Sequence, residues 1–197
     1  MDEARFHRAM AAIDARNGDD PHRIEVRGEL RPKELAHAEL ASEWIERLLP
    51  EPSEALKLAA RAHHLRRWAI ERSSYPSGRA GYHRWRRALQ QFHADEAAAV
   101  LEDQGYEPAT VDRVRALVKK QGLARGGDPE VQALEDALCL VFLETQLAAT
   151  AAKLDDPDKA IDVLRRTAAK MSPEAVALAR GLPLGEQERL LLESALG

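Results

Sequence analysis

Residues 131–152, VQALEDALCLVFLETQLAATAA, are almost wholly apolar and hold two adjacent acids near their start. Asp128 supplies an N-cap and Pro129 a first helical position, so the stretch reads as a helix from Pro129 to about Lys153. Asp136 shares a face with Ala133, Leu140, Leu143 and Leu147. An aspartate on such a face is costly unless a cation, a metal or several hydrogen-bond donors meet it. This one helix constrains both the fold and the search for a site.

The remaining punctuation also marks helices. Phe6, Met10 and Ile13 recur at helical spacing until Asn17-Gly18. A short extended piece follows around Ile24 and Val26. Pro32 opens a second helix running to about Leu49, and Ser53 caps a third that is expected to reach about Arg72. After the turn-rich SSYPSGRAG, a fourth helix spans roughly Tyr82 to Asp103. A fifth runs from Pro108 to the Gly122 stop. Shorter helices are expected near Asp158–Ala169, from Ser172 to Gly181, and over Glu186–Leu196. The fold class is therefore all-α, a single-domain bundle of about seven to eight helices over residues 1–197.

Charge is distributed unevenly. The chain carries −4 in total, yet Arg61–Arg87 holds eight arginines and one acid, Glu71. That segment is +7 and the remainder −11. Arginine forks bind phosphates and carboxylates bidentately and stack on aromatic rings. Arg67, Arg72, Tyr75, Arg79, Tyr82 and Arg86 are the candidate anion-binding residues. The expected ligand is a phosphorylated or otherwise anionic small molecule, and RNA is the alternative. Lysine is absent from the segment, which favours a compact pocket over a broad nucleic-acid face. The loop ARGGDP, residues 124–129, lacks the lysine and preceding strand of a nucleotide-binding loop.

Histidines accompany the arginines in RAHHLRRW, residues 61–68. On the third helix the apolar face is Leu58, Ala62, Leu65 and Ala69. His64 falls on the far side with Ala60, Arg67 and Glu71, and His63 lies at the border. On the second helix His37 shares the core stripe of Leu40, Ala41, Trp44 and Leu48. On the fourth, His93 lies with Tyr82, Arg86, Leu89 and Val100. Imidazoles and a carboxylate converging from different helices would suit a divalent metal. The expected ligand set is His37, His63, His64, His93 and Asp136, with Asp136 and His64 as catalytic candidates. A core histidine that packs and hydrogen-bonds, and an Asp136 paired with an arginine, are the structural alternatives.

This order of residues resembles that of the HD-type phosphohydrolases, which are all-helical. There a histidine precedes a His-Asp pair on the next helix, and a distant aspartate completes the site. The resemblance implies a divalent ion activating water against a phosphate ester. His64 stands where the aspartate of the pair would be. A second resemblance rests on HHLRRW, ERSSYPSGRAGYHRWRR, FHA at 92–94, QALEDALCLVFLE and TAAKMS at 167–172. In that order they resemble a family of small proteins of unknown function from bacteria and fungi. The likeness runs from IDARN near residue 13 to about Ser172 and implies no activity. Some members carry a glutamyl-tRNA synthetase label, whereas this chain lacks the strands of such a catalytic domain.

The lone Cys139 cannot form an internal disulfide and lies among Leu138, Leu140 and Val141, which predicts a core residue and a reducing, cytoplasmic setting. No run reaches the roughly 18 uninterrupted apolar residues of a membrane span, so no membrane partner is expected. A scaffold using Leu190, Leu191, Leu192 and Leu196 of the last helix is the remaining reading.

Overall fold

The computed structural model describes residues 2–123 and 127–197. Helix α1 is Glu3–Gly18; a hairpin follows, β1 Arg23–Val26 and β2 Glu29–Pro32, with Arg23 opposite Pro32 and Val26 opposite Glu29. Then come α2 Lys33–Leu48, α3 Glu54–Ala62, α4 Gly78–Asp103, α5 Pro108–Val118, α6 Pro129–Leu154, α7 Pro157–Ala168, α8 Pro173–Arg180 and α9 Glu186–Leu196. The fold is all-α, with nine α-helices among the described residues.

The caps fall where the sequence places them. Ser53, Asp128 and Ser172 each accept a backbone N–H of the following helix, from Leu56, Glu130 and Ala175. Helix α2 begins differently. Pro32 has no side chain to cap with, and Asp20 Oδ2 accepts the Glu34 N–H at 3.0 Å instead. Asp20 also accepts from the His22 N–H. A loop residue thus fixes the first turn of α2 and, with it, Glu34.

Helix α6 is by length and composition apolar enough to cross a membrane, alone in this among the described residues. It packs against α2, α3, α5, α7, α8 and α9. Leu134, Ala137, Leu140, Leu143 and Leu147 join one core with Leu56, Leu58 and Leu65 from the α3 segment and Leu101 from α4.

Two boundaries differ from expectation. Helix α3 stops at Ala62, ten residues before Arg72. The His63 Nδ1 turns back onto the Ala60 carbonyl at 2.7 Å, and Leu65 and Arg67 close tighter turns onto Ala62 and His64. Arg66 adopts φ 54°, a left-handed conformation no helix continues through. Asn17 Oδ1 receives the Arg66 N–H, so α1 helps hold the break. Helix α4 begins at Gly78, four residues earlier than Tyr82. The loop before it packs on its first turn so closely that a Cβ on Gly81 would lie 1.8 Å from the Pro76 carbonyl oxygen. Both changes bear directly on the site.

Candidate functional site

The break after α3 removes the helical separation expected of His63 and His64. Both rings line one large cavity, of about 1010 Å³, with centroids 4.2 Å apart. His93 of α4 joins them, 5.5 Å from His64. Arg79, Tyr82, His83, Arg86 and Arg87 come from α4, Arg67 from the turn after α3, and Arg166 and Thr167 from α7. Lys120 and Lys170 enter from the ends of α5 and α7. The lining therefore holds seven cationic side chains and four histidines, and no carboxylate. Leu89, Val118, Leu134 and Leu138 form its apolar portion.

One carboxylate lies just behind the wall. Glu34 is 4 % exposed, in the first turn of α2. Its Oε2 stands 3.2 Å from His64 Nδ1 and 3.6 Å from His37 Nδ1, and its Oε1 3.7 Å from Arg67 Nε. Neither Glu34 Oε2 nor His64 Nδ1 has a well-aligned hydrogen bond in this arrangement. Burial opposes the Glu34 charge, but the facing His37 and His64 outweigh it and hold the carboxyl well below its usual range. For His64, burial and the adjacent His63 lower the imidazole well below its usual value, against the pull of Glu34. A neutral His64 with Nδ1–H toward an ionised Glu34 follows. The Nδ1 edge is buried and the side chain is 35 % exposed, so the opposite edge of the ring faces the cavity.

His63 and His93 are held in the same sense. The His93 Nδ1 meets the Leu65 carbonyl at 2.9 Å. A carbonyl accepts only, so Nδ1 carries the proton in both rings and Nε2 bears the lone pair. Burial holds His63 at about 3 and His93 at about 4. Burial likewise makes Arg67 easier to deprotonate than an ordinary guanidinium, with Glu34 opposing. The Arg67 guanidinium also lies 5.1 Å over the Trp85 ring. With Glu34, Arg67 separates the main cavity from a smaller one of about 270 Å³ that Trp68, Arg72 and Trp85 help to line.

The lysines have their own anchor. Glu135, 5 % exposed at its side chain, pairs with Lys120 and, at 3.6 Å, with Lys170. Lys120 takes φ 52°, and this strained backbone sets its side chain at the cavity edge. Arg79, Arg86, Arg87 and Arg166 have no ion pair among the described residues.

Several sequence expectations are redistributed. Of the candidate anion-binding residues, Arg67, Arg79, Tyr82 and Arg86 line the cavity. Arg72 does not: its guanidinium donates to the Tyr75 and Pro76 carbonyls and ties the loop before α4. The Tyr75 side chain lines neither cavity. His37 reaches Glu34 on one side and Thr145 Oγ1 on the other, at 3.2 Å, within the α2–α6 packing. Asp136 lies apart from the lining. Its Oδ1 accepts the Ser172 N–H at 2.8 Å and the Gln132 amide at 2.9 Å, joining α6 to the start of α8. Its donors are thus backbone and amide groups, not histidines or arginines. Among the described residues no three His, Cys, Asp or Glu side chains converge to hold a metal ion. The five-residue metal set is not brought together: Asp136 is engaged at the start of α8 and His37 lies in the α2–α6 packing, so of the five His63, His64 and His93 share the cavity. Cys139 is buried and its thiol is pushed up to about 12 by that burial, so it is a core residue. Residues 124–126 of the ARGGDP loop lie outside the described residues.

Asp136→Ala should therefore lower stability by roughly 1–3 kcal/mol, the cost of stranding buried donors. Asp136→Asn, which keeps an acceptor, should cost less. Thermal denaturation of the two variants measures this, and equal losses would contradict the assignment.

Sequence reasoning missed Glu34, Lys120, Arg166 and Lys170. Glu34 did carry a signal, since it lies three residues before His37 on the same helical face. The others are brought in by tertiary packing.

The fold and this site define an all-α protein with a cationic cavity that His63, His64 and His93 help to line. The chain matches the family described as domain of unknown function DUF4202 over residues 7–192, and it belongs to that family. No curated protein and no solved structure shows significant similarity to it.

Proposed function

We propose that the protein binds a phosphorylated small molecule in the main cavity and hydrolyses its phosphate ester. The observation that carries this reading is the lining itself: Arg79, Arg86, Arg87 and Arg166 have no ion pair among the described residues, beside Arg67, Lys120 and Lys170, which Glu34 and Glu135 face from behind. Such a surface favours a dianion, and because those four arginines are exposed, salt should weaken the attraction. The cations face a concave site rather than a broad face, which suits a small molecule better than an RNA backbone.

The His64–Glu34 pair supplies the chemistry. His64 Nε2 takes a proton from water as the water oxygen bonds to phosphorus and the ester P–O bond breaks. Glu34 stabilises the imidazolium, which then returns the proton to the departing alkoxide. A bound dianion beside His64 raises its basicity, offsetting the lowering by burial. Arginines of α4 and Arg166 neutralise charge growing on the phosphoryl oxygens. No step here runs through a metal.

Phosphate release from a panel of phosphate monoesters, measured in a chelator, tests the proposal. Turnover is expected from the wild type, and His64→Asn should reduce it by about 10²–10⁴-fold. Equal turnover in both proteins, or release from none of the esters, would overturn it. Activity appearing only on addition of a divalent ion would contradict the metal-free step and favour the metal-assisted route the sequence suggests.

A further inference from the structure

The cavity has two chemically different regions. Its cations are donors only. Gln90 gives its amide to the Lys119 carbonyl, and Thr167 gives its hydroxyl to the Val163 carbonyl. Tyr82 accepts from Arg86 at 3.4 Å. The lining also offers acceptor oxygens on Gln90, Thr167 and Tyr82, but among the described residues the one lining acceptor that is buried without a partner is an imidazole nitrogen, His93 Nε2. His63 and His93 each spend Nδ1–H on a backbone carbonyl, leaving Nε2 as a lone pair. The His93 Nε2 is buried in a residue only 2 % exposed and has no partner in the protein. A buried acceptor without a donor is costly, so the ligand that belongs here brings one.

The phosphoryl group of a monoester cannot do so. As the dianion R–O–PO₃²⁻ it offers acceptors only, which suits the arginines and leaves the imidazoles unmet. A hydroxyl on the carbon skeleton that bears the phosphate meets both needs. The volume, about 1010 Å³, also exceeds what an inorganic phosphate fills.

We infer that the substrate is a phosphorylated polyol or sugar, its phosphate held by Arg79, Arg86 and Arg166 and its hydroxyls donating to His63 and His93. This rests on the cavity being the phosphate site proposed above. His64, backed by Glu34, stays available for the attacking water. The sugar hydroxyls then fix the ester with its phosphorus toward His64.

Isothermal titration of the intact wild-type protein with the non-hydrolysable phosphonate analogues (P–CH₂ in place of P–O) of n-propyl phosphate, glycerol 3-phosphate and ribose 5-phosphate separates the two ideas. The hydroxyl-bearing analogues are expected to bind at least about tenfold more tightly than the propyl analogue. Preference for the glycerol 3-phosphate analogue alone would assign an open-chain polyol, and preference for the ribose 5-phosphate analogue a ring sugar. In His93→Phe the preference should collapse. Should that variant fail to fold, the wild-type comparison stands without it. Equal affinity for all three analogues would overturn this inference and leave the phosphate site intact. Failure of every analogue to bind would overturn both.

Discussion

Glu34→Gln is expected to lower phosphoester turnover by at least about 10²-fold, although Glu34 touches no substrate. Its carboxylate orients His64 through the Nδ1 edge and stabilises the imidazolium formed when water is deprotonated. Glutamine keeps the shape and an acceptor oxygen but loses the charge. The distinguishing readout is the pH–rate profile. Glu34 raises the His64 pKa against the effect of burial. Its removal should therefore shift the ascending limb, where His64 loses its proton, to lower pH. A structural role alone would reduce the amount of folded enzyme and leave that limb in place. An unshifted profile with lowered activity would count against the pair as a catalytic unit.

Acid should destabilise the protein from just below neutrality, well before carboxylates protonate. His63 and His93 have ordinary imidazole pKa values near 6.5 when unfolded and about 3 and about 4 in the fold. Between those values the unfolded chain binds protons that the folded chain refuses. Stability is thus complete above pH 6.5 and lost as pH falls toward 4 and then 3. The shift at His93 alone, from 6.5 to about 4, corresponds to about 3 kcal/mol when fully developed. Glu34 acts in the same direction at lower pH. Its folded value is depressed, so its contribution is present above 4.5 and lost as pH falls through the folded value. Calorimetry should show Tm falling on the order of 10 °C between pH 7 and pH 5. A flat Tm over that range would contradict neutral, buried imidazoles.

The helical fold was largely legible because its punctuation is local. Ser53, Asp128 and Ser172 cap where expected, since an N-cap needs only its own helix. The end of α3 was not legible in the same way. RAHHLRRW has helical composition and spacing, and what stops the helix is a tertiary arrangement around Arg66 and Asn17. That break brings His63 and His64 into one cavity.

Asp136 shows the opposite limit. Its position on an apolar face announced a buried acid that needs donors, and it has them. Periodicity could not say that Ser172, 36 residues on, supplies one. The arginine surplus of Arg61–Arg87 did point to the cationic cavity, which Arg67, Arg79, Arg86 and Arg87 line. Its completion by Lys120, Arg166 and Lys170 depends on α5 packing on α4 and α7 packing on α6, which no local pattern records.

The central claim, that the cavity holds a phosphorylated anion by its own cations, is tested most directly by titration calorimetry with the non-hydrolysable phosphonate analogue of ribose 5-phosphate in a chelator. The wild type and an Arg86→Glu, Arg166→Glu double variant should be compared. Both positions are exposed, so the variant is expected to fold. Saturable one-to-one binding to the wild type, weakened by salt and lost in the double variant, is the predicted result. Absence of binding to the wild type, or equal affinity in the two proteins, would contradict it.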